Sequence, residues 1–217
     1  MAYTLPNGST LYFAQTYTPF FTITSVTRGN PTVTVTATGH TFTVGQPVTI
    51  RSGWDSIDGR TFIVQSFSAN TFTITGVDTT DTRKNPAGAA GGNVRGVTSW
   101  IRVPQILTVS FSGGQQQYTD MQYINSDHGF SLPTIKSSAS LQLVVADDPN
   151  QTYFAVIEAA EKSKQLQVQR LNIKNGPDKL YYTTFASIDK NPSVNRDELM
   201  TRTISLAMYG DVTRTTS

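Results

Sequence analysis

Two histidines, two close pairs of aspartates and one glycine-rich run are the residues of this chain best able to support chemistry. A histidine works as a general base when a third group holds its ring in place. His128 follows Asp127 directly, and adjacency in the chain does not by itself orient an imidazole; His40 and His128 each sit beside a glycine, Gly39 or Gly129, as loop residues do. Asp55 and Asp58 form a carboxylate pair, but calcium takes about six to eight oxygen ligands and Asp58-Gly59 is first of all a tight-turn dipeptide. Asp147-Asp148 precedes a helical pattern, where acidic groups complement the helix dipole. Gly91-Gly92-Asn93-Val94-Arg95-Gly96 lacks the Lys-Ser/Thr pair of a phosphate-binding loop, so its glycines are assigned to flexibility. The expectation is a protein without catalytic, metal-binding or cofactor-binding residues, and not an enzyme.

The remaining chemistry is that of contact between chains. Gly113, Gly114, Gln115, Gln116 and Gln117 link an apolar strand ending at Phe111 to the segment from Tyr118 onward. They suit a hairpin loop, and their amides suit hydrogen bonds between subunits. Phe20-Phe21 and Tyr181-Tyr182 are adjacent aromatic pairs. Neighbouring strand residues face opposite ways, so each pair should put one ring in the core and one outward, toward an interface.

These residues must be held mostly by strands. From Thr22 to Thr75, Thr, Val, Ile and Phe alternate between short turns, the pattern of small antiparallel strands. Residues 22–78 are expected to form a compact β-barrel module of about five strands, inserted after an N-terminal arm (1–21). Asn85 to Gly96 has little to bury and is expected to be exposed, within a glycine-rich linker (79–99) that holds the module loosely. Residues 100–217 form the principal domain. There Leu107, Val109 and Phe111 define one strand face, and Leu141, Leu143 and Val145 another. Asp148 is expected to cap a helix of about 14 residues, with Pro149 in its first turn and Gln151 completing a capping box. Tyr153, Val156, Ile157 and Ala160 would be its buried stripe. Leu166 and Val168 are out of phase with Leu171 and Ile173, which predicts a β-bulge near Arg170. Asn175-Gly176-Pro177-Asp178 turns the chain into Leu180 to Ile188, and Leu199 to Tyr209 is a final strand interrupted by Arg202. The fold class is mainly β: an antiparallel sandwich or barrel with one flanking α-helix, plus the small all-β insertion.

Composition limits the partners. Charged residues make up 15% of the 217, and 17 basic against 15 acidic groups leave a net charge of +2. That excludes a strongly basic nucleic-acid binder, and a surface poor in charge suits a subunit packed among its own copies. The 105–217 half is slightly acidic. Cysteine is absent, so disulfides and thiolate metal sites are excluded. Met1 to Pro6 has no basic region followed by an apolar run, and no stretch is long and apolar enough to span a bilayer; neither a signal peptide nor membrane insertion is expected.

Several segments together carry a family likeness. Leu5-Pro6-Asn7-Gly8, Gly76 to Thr82, Pro86-Ala87-Gly88, Gln105-Ile106-Leu107 with Ser112-Gly113-Gly114, and Ala146-Asp147-Asp148-Pro149 resemble the major tail tube proteins of long-tailed, non-contractile (siphovirus-type) bacteriophages. Ile23 to Ile74 resembles a small β-module common in phage virion proteins. The resemblance implies hexameric rings stacked into a hollow virion tube, assembled in the host bacterial cytoplasm with tape measure, tail terminator and tail-tip proteins as partners. Phage DNA would pass transiently through the bore, whose wall should then be neutral or acidic. Two other readings stay open: a distal tail or tail-surface protein binding a host receptor or polysaccharide, and a virion hydrolase.

Overall fold

The computed structural model describes residues 8–148, 150–174, 177–194 and 196–216; Leu5-Pro6-Asn7, Pro149 and the Asn175-Gly176 part of the expected turn lie outside the described residues. In chain order the elements are β1 (Thr10–Tyr17), β2 (Phe21–Ile23), β3 (Ser25–Thr27), β4 (Thr32–Thr36), β5 (Pro47–Ser52), β6 (Thr61–Ile63), β7 (Ser66–Phe67), β8 (Thr71–Thr75) and β9 (Gly92–Val103). Then follow β10 (Ile106–Ser112), β11 (Gln116–Met121), β12 (Phe130–Lys136), β13 (Ser140–Ala146), α1 (Tyr153–Ser163), β14 (Gln167–Asn172), β15 (Asp178–Ile188), β16 (Thr201–Met208) and β17 (Thr213–Thr216). The fold is thus mainly β with one helix, as the alternation of apolar and polar residues predicts. No helix among the described residues is long and apolar enough to cross a membrane.

All strand pairs are antiparallel, and one curled sheet runs β10-β13-β16-β15-β14-β1-β9-β5-β6. Its inner face closes on Leu11, Phe13, Leu141, Leu143, Ile204 and Leu206, and α1 seals the core with Tyr153, Phe154 and Ile157. Phe154, not Val156, completes the helix's buried face, because Val156 is only partly covered. The helix also starts later than the sequence suggests. Its N-cap is Thr152, with no side-chain cap hydrogen bond. Asp148 and Gln151 do meet, Gln151 Nε2 donating to Asp148 Oδ2 at 2.6 Å and Asn150 N to Asp148 Oδ1 at 3.1 Å. The pair therefore closes a separate turn ahead of α1, and the capping-box assignment is corrected. Those hydrogen bonds hold the Asp148 carboxyl below its usual range.

A second core belongs to the N-terminal strands. Val33, Val35, Phe42, Val48, Ile50, Phe62, Phe72 and Ile74 pack together with Trp54 and Val94, lined by a small sheet of order β3-β4-β8-β7 and by β2, β5 and β6. The expected linker ends in a strand instead of a loop. β9 pairs with β2 and β5 through Gly92–Gly96 and with β1 through Val97–Val103, so a single strand runs from one core into the other. Its glycines permit close approach and not flexibility: a Cβ on Gly92 would stand 1.9 Å from the Arg51 carbonyl oxygen. Nor is the module loosely held. Ile63 packs into the cluster of Ala14, Val97, Val168 and Tyr181, and the buried hydroxyls of Thr49, Thr61 and Thr183 form a chain with spacings of 3.1 and 2.9 Å.

That packing explains two further departures. β14 pairs with β15 without a register shift, so there is no bulge at Arg170. Val168 faces the module side and Leu171 the helix side, both in apolar contact; burial on both faces imitates a phase slip. For the same reason Tyr181 and Tyr182 are both buried, at 4% and 2% exposure, where one outward ring was expected. Arg202, which interrupts an apolar strand, lies 5.1 Å from the Phe154 ring centre and pairs with Asp147 at 2.6 Å.

Candidate assembly surface

Among the described residues β10 pairs only with β13, which leaves its other edge free. Val109 and Phe111 lie opposite Leu143 and Leu141 and continue the core face past the point where anything covers it. Phe111 reaches the Tyr182 ring, 5.9 Å between centroids, yet is 57% exposed, and Leu107 is 54% exposed. A free edge carrying uncovered apolar side chains is the feature that soluble monomers usually suppress with charge or a bulge.

Between β10 and β13 the chain leaves the sheet. Gly113 and Gly114 take φ of +82° and +76°, a left-handed pair open to glycine at little cost; a Cβ on Gly113 would also stand 1.9 Å from the Ser138 carbonyl oxygen. Ser137 N then donates to Gln115 O at 2.8 Å and Gly114 N to Ser137 O at 3.2 Å. Beyond this pinch β11 and β12 form a two-stranded arm that, among the described residues, pairs with no other sheet. Gly113 to Gln117 is therefore the base of an arm and not the tip of a hairpin: two glycines redirect the chain, Gln115 ties the base, and Gln116 and Gln117 begin β11.

The arm buries almost nothing. Tyr118 is 62% exposed, Ile135 75%, and Ile124 at its far end is fully exposed. Tyr123 and Phe130 touch each other, centroids 5.3 Å apart. An isolated two-stranded ribbon is marginal in water, so these apolar residues have no intrachain purpose that matches their cost.

The residues considered for chemistry are placed elsewhere. His40 is buried, accepting a hydrogen bond at Nδ1 from Phe42 N (3.3 Å) and stacking on the Phe42 ring; His128 lies in the exposed far loop of the arm. Asp58 accepts from Ser52 N at 3.0 Å, pairs with Arg51 at 3.4 Å, and accepts from the Tyr209 hydroxyl at 2.9 Å. It is an anchor between module and core, with the Arg51 guanidinium 4.8 Å from the Tyr209 ring centre. Arg95 is a similar anchor, 3.9 Å from the Tyr17 ring centre and bonded to the Leu166 carbonyl; burial lowers its pKa. Tyr209 and Leu166 are far along the chain from Asp58 and Arg95, and no local pattern marks such pairs. Among the described residues no three metal-ligating side chains come together.

No curated protein matches this chain. A profile of the phage tail tube protein (TTP) family matches residues 52–217, a span that holds the edge strand β10, the arm and α1 but not β1 or β2, and only the last residue of β5. The uncovered edge and arm find their setting in that match: this chain belongs to the phage tail tube protein family, as a structural component of the phage tail.

Proposed function

We propose that the chain polymerises with itself into stacked hexameric rings, forming the hollow tail tube of a siphovirus-type phage through which DNA is ejected into the host. The observation that carries this reading is the β11–β12 arm, an apolar ribbon that pairs with no other sheet among the described residues, beside the edge of β10 left open there. A neighbour that pairs with β10 removes the edge, and a ring of such contacts leaves none open. A head-to-tail contact between rings then repeats without limit. The arm reaches toward a neighbouring subunit, and the Gln115–Gln117 amides lie at that contact. The role is structural and non-enzymatic. Tape measure, terminator and tail-tip proteins set the length and ends, with assembly in the host cytoplasm.

Electron microscopy of the purified chain, alone and with tail-tip components as initiator, tests the reading. Hollow tubes of stacked rings are expected. A chain that stays monomeric at high concentration under both conditions would overturn it.

A further inference from the structure

The outer face of the module meets the principal domain across a groove of about 310 Å³. Its floor follows from strand register. Thr49 lies opposite Arg95, and Arg51 opposite Asn93, on the paired strands β5 and β9. Val48, Ile50 and Val94 turn into the module core, so these four polar side chains share the other face. Arg51 and Arg95 are diagonal neighbours there, with Cβ atoms about 7–8 Å apart, a spacing that two long guanidinium side chains can close onto one anion. Gln165 and Leu166, which follow α1, and the half-exposed ring of Phe20 complete the walls.

Charge in this groove is unbalanced, since two arginines line it and no acid does. Arg51 is held by Asp58 at 3.4 Å, but none of the ion pairs among the described residues involves Arg95. The Arg95 guanidinium centre lies 3.9 Å from the Tyr17 ring centre and 5.0 Å from that of Phe20, and it donates to the Leu166 carbonyl. Rings and a carbonyl orient the cation without neutralising it. A guanidinium has five N–H donors, so most of those of Arg95 remain for a ligand, and a partly desolvated cation with no counter-charge is costly. Arg202 and Arg214, by contrast, are each matched by a carboxylate, Asp147 and Asp178.

We propose that this groove is a binding site for a phosphate group, with the Arg51 and Arg95 forks as its main donors and the Asn93 and Gln165 amides beside them. One fork already satisfies a carboxylate, whereas a phosphate has oxygens enough for two. The Phe20 ring offers an apolar surface to whatever bears the phosphate. A free ion and a phosphate carried on a polymer present the same chemistry to the site. One wall comes from the module and the other from the principal domain, so an occupant bound only by the folded chain ties the two together and stabilises them by mass action. The site is a property of the folded subunit and stands whether or not tubes form.

Isothermal titration calorimetry of the full chain with inorganic phosphate, against sodium chloride of equal ionic strength, tests the site. Saturable binding is expected with phosphate and not with chloride, together with a Tm that rises with phosphate concentration. Asn93→Asp is the discriminating variant, because Asn93 is exposed and the change keeps its shape. The new carboxylate takes the guanidinium donors, so phosphate affinity should fall by about tenfold or more, while a Tm in chloride no lower than the original shows that the fold is kept. Asn70→Asp adds the same charge at an exposed turn of the module and should bind phosphate as the original chain does. A response to phosphate no larger than that to chloride, or an Asn93→Asp variant that binds as tightly as Asn70→Asp, would overturn the proposal. Poly(glycerol phosphate) at equal phosphate content separates the two sources. Tighter binding that Asn93→Asp abolishes assigns a polymer-borne group, and binding no tighter than that of the ion assigns free phosphate.

Discussion

β15 lies in two environments along its length. Around Tyr181 and Tyr182 it is covered on both sides, by the helix-sealed core on one and by the module's Ile63 and Thr61 on the other. Around Phe185 and Ser187 the same alternation continues, but one side is bare. The strand is the same and only the cover differs. Where the chain supplies a cover, the apolar residues are used up within the subunit. Where it supplies none, they stay exposed, as in the β11–β12 arm and on β10.

The largest effect expected from this contrast comes from removing each region in turn. Replacing 24–90 with a short Gly-Ser linker keeps β2 but strips β9 of β5 and bares Tyr181 and Thr183. Cooperative unfolding in calorimetry should be lost. Replacing 116–136 with a Gly-Ser turn should leave a folded subunit whose Tm is within a few degrees of the original, but abolish tubes in electron microscopy. The opposite pattern, a foldable chain without the module or tubes without the arm, would reverse the roles given to the two regions.

A smaller perturbation of the uncovered region should separate assembly from stability. Changing Gln115, Gln116 and Gln117 together to Lys places like charges around a ring. Assembly should fail at low salt and partly recover at high salt, where the charges are screened, with the urea midpoint unchanged. Tubes that form normally at low salt would remove the arm's base from the contact.

On the covered side, Gly59→Ala probes the anchor. Gly59 has φ +65°, and a Cβ there would stand 2.0 Å from the Tyr209 ring. The variant should be destabilised by about 2 kcal/mol in urea unfolding. A negligible change would mean that Tyr209 leaves its place against Asp58 at no cost.

The smallest effect concerns alkaline pH. Burial pushes the Tyr17 hydroxyl up to about 12 from 10.0, opposed by the hydrogen bond from Val168 N and by Arg95. The unfolded chain releases this proton near 10 while the folded chain keeps it. The contribution is thus complete below pH 10 and is lost as pH rises toward 12. Tyr17→Phe should cost about 1 kcal/mol at neutral pH and flatten the loss of stability above pH 10. Tyr153 and Tyr182, also raised to about 12 by burial, keep the slope from vanishing. An alkaline limb as steep as that of the original chain would show that Tyr17 titrates freely.

The sequence by itself determined the β class, the single helix, the strands with one apolar face, and the scarcity of charge, because each depends on period and composition within a few residues. Alternation in Leu141-Leu143-Val145 gives a strand whatever lies above it. What only the tertiary structure decided was which faces are covered. Gly92 and Gly96 have the composition of a linker, yet they lie in a strand, because a Cβ on Gly92 would meet the β5 backbone at Arg51 and one on Gly96 the side chains of Gln46 and Phe42. Val168 and Leu171 imitate a bulge because cores on both sides need them. Gly113 to Gln117 has the composition of a hairpin loop, yet it founds an arm, since the pairing of Gln115 with Ser137 lies across 22 residues. Cover, close approach and long-range pairing arise between segments distant in the chain, and local periodicity carries no record of them.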